Sequence, residues 1–233
     1  MVDINKVYER VLFVANKEQR GYITPDEFNS YATQAQLEIF EAYFLKKFQA
    51  NQAPGTMEDF SDPKMNLEEK ITFFDNSATV SKDSATGRYL YDDFSSTHTF
   101  YRLGHVDVNG RMADEVSHKE LTYINLSPLT KPTETQPVYT RHEGGITLYP
   151  ASYNGNINVV YVRKPVDPVW AHLADPTGSP VYDSANSTNF ELHPSEEQDL
   201  VYKILTMAGV AIKQPDISGY GQGKDQQISS TEG

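Results

Sequence analysis

The stretch Thr24-Pro25-Asp26-Glu27-Phe28-Asn29-Ser30-Tyr31-Ala32-Thr33-Gln34-Ala35-Gln36-Leu37-Glu38-Ile39-Phe40-Glu41-Ala42-Tyr43-Phe44-Leu45-Lys46-Lys47-Phe48-Gln49 decides the fold. It reads as one long helix. Thr24 suits the N-cap, Pro25 the first helical position, and Asp26 and Glu27 the positive end of the helix dipole. No Gly or Pro follows until Pro54. At ~1.5 Å per residue the rod is roughly 36 Å long. Its apolar residues fall in two stripes at helical spacing. Phe28, Tyr31, Ala32, Ala35, Ile39, Ala42 and Tyr43 make one; Leu37, Phe40, Phe44 and Phe48 make the other, on the opposite side. A surface helix needs a single buried face. The second half of this helix is therefore expected to be covered from two sides, either by its own domain or by a neighbouring subunit.

Before it, Asp3 to Asn16 reads as a helix with Ile4, Val7, Val11 and Val14 at three- and four-residue steps. Gly21 closes the turn between the two, which predicts an N-terminal helical hairpin. After it, Ala50 to Lys64 reads as a loop with Pro54, Gly55 and Pro63. Asn66 to Val80 opens a β region through Ile71, Phe73 and Phe74. Arg88–Tyr91, His98–Leu103 and Val106–Val108 are short strands, and Asn109-Gly110 is a hairpin turn. Asp114 to Asn125 reads as a short helix capped by Asp114. Three more strands follow at Val138–His142, Gly145–Tyr149 and Ile157–Arg163. A Pro-, Gly- and Ser-rich loop runs to Ser187. Phe190 to Pro194 is an extended docked segment. Ser195 and Gln198 form a capping box for a last helix with Leu200, Val201, Ile204, Leu205, Ala208 and Ile212 on its apolar face. Asp216 to Gly233 reads as a flexible tail.

This order predicts an α+β fold with one domain over 1–215. A helical hairpin occupies 1–50, a mainly β region 66–165 and a C-terminal helix 190–213, with the tail at 216–233.

Composition narrows the chemistry. The chain of 233 residues carries a net charge of −12, which argues against wrapping nucleic acid but not against a channel that nucleic acid traverses. The absence of Cys excludes disulfides, thiolate zinc sites and a cysteine nucleophile. Met1 to Ala15 is amphipathic, unlike a signal peptide, and the apolar runs fall short of a membrane span. A soluble protein made in a cytoplasm is expected.

Asn16 to Phe28 imitates a calcium loop, with Gly21 sixth and Glu27 twelfth, but Glu18 and Arg20 stand where short oxygen ligands belong. His98, His105, His118, His142, His172 and His193 have no metal-ligand spacing. Gly219 to Lys224 fits neither phosphate-loop pattern, and there is no Gly-x-Ser-x-Gly elbow. The pairs Glu68-Glu69, Asp92-Asp93 and Glu196-Glu197 read as solvated surface. No catalytic residue, metal ligand or cofactor is expected, and the chain is not expected to be an enzyme. The Tyr- and Asp-rich stretch with Tyr89, Tyr91, Asp92 and Asp93 motivates an alternative, a carbohydrate- or host-surface-binding module of a phage tail.

Several stretches together carry a resemblance to a known class. They are Val11 to Asn29; Leu121-Thr122-Tyr123-Ile124 with Ser127-Pro128-Leu129; Tyr161 to Pro165 with Pro168-Val169-Trp170; and Phe190 to Glu196 followed by the Leu200 to Ile212 helix. The chain resembles a structural protein of tailed bacteriophages, of the crAss-like and marine podovirus type, over about Val7 to Pro215. The resemblance implies a head-to-tail connector, adaptor or tail-hub ring component. It implies a dodecameric homo-oligomeric ring, stacked on portal protein and other ring proteins, with DNA passing through without sequence-specific binding. It places the protein in the virion neck or tail, after synthesis in the host bacterial cytoplasm, with no membrane contact. On this reading Leu37, Phe40, Phe44 and Phe48 are expected at a subunit interface. Trp170, Phe190 and Tyr220 are expected at contacts between rings.

Overall fold

The structure is a computed structural model that describes residues 1–17, 23–52, 61–95, 97–174 and 180–211. The fold is α+β. In chain order the elements are α1 (Ile4–Lys17), α2 (Pro25–Gln52), α3 (Ser61–Thr72), β1 (Asp75–Val80), β2 (Tyr89–Leu90) and a 3₁₀ turn at Tyr91–Phe94. Then come β3 (Phe100–Val108), β4 (Arg111–Glu115), α4 (His118–Leu126), β5 (Val138–His142), β6 (Gly145–Tyr149) and β7 (Ile157–Arg163). Last are β8 (His172–Ala174), β9 (Pro180–Tyr182), a 3₁₀ turn at Pro194–Glu196 and α5 (Glu197–Ala211). Where the sequence reads as one domain over 1–215, the chain divides into two compact units, residues 1–71 with 165–233 and residues 72–164.

The helical unit is built on α2. Thr24 and Glu27 cap it reciprocally. The Thr24 amide donates to Glu27 Oε2 at 2.9 Å, and the Glu27 amide donates to Thr24 Oγ1 at 3.3 Å. Asp3 caps α1, its Oδ1 accepting from the Asn5 and Lys6 amides at 2.8 and 3.1 Å. The two N-terminal helices, α1 and α2, belong to the same compact unit. They meet where Tyr8 sets its ring edge-on to Phe28, 4.8 Å between centroids, while α5 packs along both of them. The interior is filled by Ile4, Val7 and Val11 of α1, by Phe28, Ala32, Ala35, Ile39, Phe40 and Tyr43 of α2, and by Leu200, Ile204, Leu205 and Ala208 of α5.

Two buried polar ties fix this interior. Gln36 donates through Nε2 to the Val166 carbonyl at 2.8 Å and accepts from the Glu191 amide at 2.9 Å. Glu191 in turn accepts from the Val166 amide at 2.9 Å, so one glutamine of α2 holds two irregular segments together. Lys70 of α3 reaches buried Glu196 at 2.5 Å.

The second unit is one seven-stranded sheet in the order β1-β7-β3-β4-β5-β6-β2. All its pairs are antiparallel except β4 with β5, which α4 connects by a crossover. All seven strands send side chains into one core that includes Val80, Tyr89, Leu103, Ala113, Tyr139, Ile146 and Tyr161. The 3₁₀ turn that follows β2 packs against β1, the strand at the other edge, so the sheet curls around its core. Asn109 and Gly110 turn β3 into β4 with φ of 52° and 76°, the left-handed pair such a two-residue turn requires.

Several local expectations are corrected. Helix α3 occupies Ser61–Thr72, inside the stretches read as loop and first strand. His98–Leu103 and Val106–Val108 are one strand, β3, which slips register against β7. Gly104 lies at that slip, where a Cβ would stand 2.8 Å from the Val160 carbonyl oxygen. Asp114 belongs to β4, and α4 is capped instead by Ser117, in a capping box with Glu120. Ser195 does not cap the last helix. His193 accepts the Ser195 amide at 3.2 Å and caps the 3₁₀ turn that precedes α5.

Candidate functional site

Trp170, the single tryptophan, lies inside the helical unit and is 3% exposed. Its ring packs on Tyr8 at 4.1 Å between centroids, and Nε1–H donates to Asn5 Oδ1 at 3.0 Å. Asn29 of α2 bonds both of its backbone groups, accepting from the amide at 2.8 Å and donating to the carbonyl at 3.2 Å. Phe190 is equally interior; its backbone pairs with Val2 in both directions at 3.1 and 3.2 Å. Within the chain Trp170 and Phe190 are therefore pins between segments rather than outward contacts between rings. Tyr220, the Gly219 to Lys224 run and the tail at 216–233 lie outside the described residues.

The second stripe of α2 is graded along its length. Phe40 is fully buried by its own chain, which removes it from the expected subunit interface. Leu37 and Phe44 are half-buried, Phe44 lying edge-on to Phe40 at 5.1 Å. Phe48 is 60% exposed, and Leu45 beside it is exposed as well. Apolar surface recurs on other elements of the same unit. An open groove of about 580 Å³ runs between α1 and α5, with Phe13 on its rim and Val201, Tyr202 and Leu205 along it. An Arg10–Glu197 ion pair at 2.5 Å joins the two helices there. The antiparallel β8–β9 pair sets His172 and Tyr182 against Trp170, while Leu173 and Val181 lie opposite each other on its exposed face. In the sheet unit, Met112, Tyr123, Leu126 and Leu129 are exposed, Leu129 almost completely. Phe48 lies on the second stripe of α2 that the sequence marks out. The sequence does not mark out the others, because singly exposed apolar residues carry no period.

The polar groups are engaged in structure. Glu27, the twelfth position of the calcium-like loop, has its carboxyl held below the ordinary range by the Thr24 amide and hydroxyl. Among the described residues no three His, Asp or Glu side chains come together as a metal site would need. His193 Nδ1 stands 2.9 Å from Ser195 Oγ, but that nitrogen also receives the Ser195 amide, which is a capping arrangement. Glu196 approaches the serine at 3.5 Å and not the imidazole, so the order of a catalytic relay is missing there. Tyr89 is enclosed in the sheet core, and burial, with a smaller contribution from Tyr153, pushes its phenol up to about 12. Tyr91 has one face covered by Phe100, stacked at 4.3 Å. No helix among the described residues is long and apolar enough to cross a membrane.

Comparison with protein-family models gives no match for this chain, and comparison with curated proteins gives none.

Proposed function

We propose that this chain is a structural virion protein of a tailed bacteriophage, one subunit of a ring in the head-to-tail connector or tail through which the genome passes. The observation that carries the reading is the distribution of exposed apolar side chains. Phe13, Leu45 with Phe48, and Leu173 with Val181 stand on separate elements of the helical unit. A cyclic ring needs heterologous contacts, in which two different patches of each subunit meet, and exposed apolar residues on several elements supply candidates for both. The net charge of −12 suits a lumen that DNA slides through without sticking. The order of stretches that resembles phage structural proteins supports the same assignment. Its partners are further copies of itself, portal protein and adjoining ring proteins.

The test is the mass of the purified chain in solution, with class averages from negative-stain images, alone and with portal protein. A closed ring in either condition is expected. A chain that stays monomeric and ignores the portal would overturn the proposal; binding on a glycan panel by that monomer would favour a host-surface-binding module instead.

A further inference from the structure

The outer face of the sheet unit carries a group of cationic side chains that neither the core nor the proposed assembly uses. In the β5–β6 pair Thr140 stands opposite Thr147 and His142 opposite Gly145; in the β2–β6 pair Tyr89 stands opposite Ile146. Arg88, one residue before Tyr89, is therefore abreast of Thr147. Tyr89 and Ile146 point into the core, so by alternation Arg88, Thr147, Thr140 and His142 share the opposite face, on which Thr140 is itself buried. The Thr140 hydroxyl and His142 Nε2, 3.1 Å apart, agree with that placement. The first residue of α4 completes the group, with the His118 ring edge-on to His142 at 4.7 Å between centroids. Gly145 leaves the row beside His142 without a side chain, and a Cβ there would run into the Tyr89 carbonyl oxygen.

Of the carboxylates on the surrounding elements, Asp83, whose amide donates to the Arg88 carbonyl, accepts from the Thr86 amide and hydroxyl. Glu120 of α4 is bonded to Ser117, and Glu115 of β4 pairs with Arg141 at 2.7 Å, Arg141 lying on the opposite face of β5 from His142. Glu143, in the turn after His142, is exposed, as is Lys119 beside His118. Among the described residues no acidic side chain forms an ion pair with Arg88, His118 or His142.

We propose that Arg88, His118 and His142 form a binding site for a small, doubly charged tetrahedral oxyanion of the phosphate or sulfate kind. The guanidinium offers a planar fork of donors, the two imidazoles add charge-assisted donors once protonated, and the Thr147 hydroxyl lies in the same row. The occupant is a small ion rather than a nucleic acid, because the net charge of −12 repels a polyanion while the local cationic group attracts a small anion. Burial, together with Arg88 and His118, holds His142 below the ordinary histidine range. A bound dianion opposes this and favours the protonated imidazole of His142.

The test uses the full chain and sulfate, which keeps its charge throughout the range of histidine titration. Imidazole NMR signals are followed during sulfate addition at about pH 5.5 and about pH 8. Saturable shifts confined to His118 and His142 are expected at the lower pH, with affinity falling about ten-fold or more at the higher. Sulfate raises the titration midpoint of His142. Arg88→Gln, an exchange on the outer face, keeps the thermal midpoint, raises the His142 midpoint in the absence of sulfate and abolishes saturation; His118→Gln weakens binding without moving Arg88. Inorganic phosphate reproduces the sulfate response. Shifts that fail to saturate, equal binding by Arg88→Gln, or a response to a thymidine oligonucleotide but not to sulfate would each overturn the proposal.

Discussion

Asn29 illustrates how much rests on single polar side chains in this fold. It satisfies both backbone groups of Trp170, which lies in an irregular segment without a ladder of its own. Asn29→Ala would leave a buried amide and carbonyl without partners, a loss of about 1–3 kcal/mol. Because Trp170 is the single tryptophan, its emission reports the change directly, and a red-shifted spectrum with an earlier urea midpoint is expected. Unchanged emission would refute the pin. The Thr24–Glu27 box makes a second prediction. The Glu27 carboxyl lies below its ordinary range, so its contribution is fully present above the unfolded glutamate value and is lost as pH falls through the lower folded value. In Thr24→Ala the Glu27 midpoint should return toward the ordinary range, measured by carboxyl NMR, and this part of the acid sensitivity should disappear. Thr24 and Pro25 were legible as a helix start because capping chemistry is local. The roles of Trp170 and Phe190 were not, because an apolar residue in an extended loop reads the same whether it docks inside its own chain or on a neighbour.

At the scale of elements, α2 separates burial within the chain from surface left over. Phe40→Ala empties a fully enclosed site and should cost about 3–5 kcal/mol in the isolated chain. Phe48→Asp changes an exposed position, so the melting midpoint should barely move while any ring assembled through this end of α2 is lost. Calorimetry and sedimentation on the two variants make the comparison, and a Phe48→Asp chain that still closes a ring would clear this surface of a role. The strands β5, β6 and β7 were legible from the sequence with the bounds the structure gives them. Helix α3 was hidden because Asp62 and Pro63 look like a loop, although Pro is tolerated in a first helical turn. β8 and β9 were hidden in a Pro- and Gly-rich segment, too short for a period to show. The group around Arg88 depends on register across three strands and a crossover helix, which is non-local information.

At the scale of the whole molecule, the sheet unit is an insertion into the helical one. The chain enters it at β1 and leaves it at β7, and these strands are antiparallel neighbours in which Asp75 stands opposite Val162. Entry and exit are thus about 5 Å apart, the spacing of paired strands. Such an insertion can be excised without stretching either part, because the ends that must be rejoined already lie together. Residues 72–164 contain their own core and all seven strands of the sheet. Expressed alone, they should fold cooperatively, with a β-type circular dichroism spectrum and a single thermal transition, and should keep the His118–His142 contact visible by NMR. The remainder, joined from Ile71 to Pro165 by a few glycines, should retain the blue-shifted Trp170 emission that its packing on Tyr8 produces. If the excised sheet is unfolded while the joined helical part is native, the sheet depends on its host for stability. If both parts fold, ring assembly can be assigned to one of them by repeating the mass measurement on each.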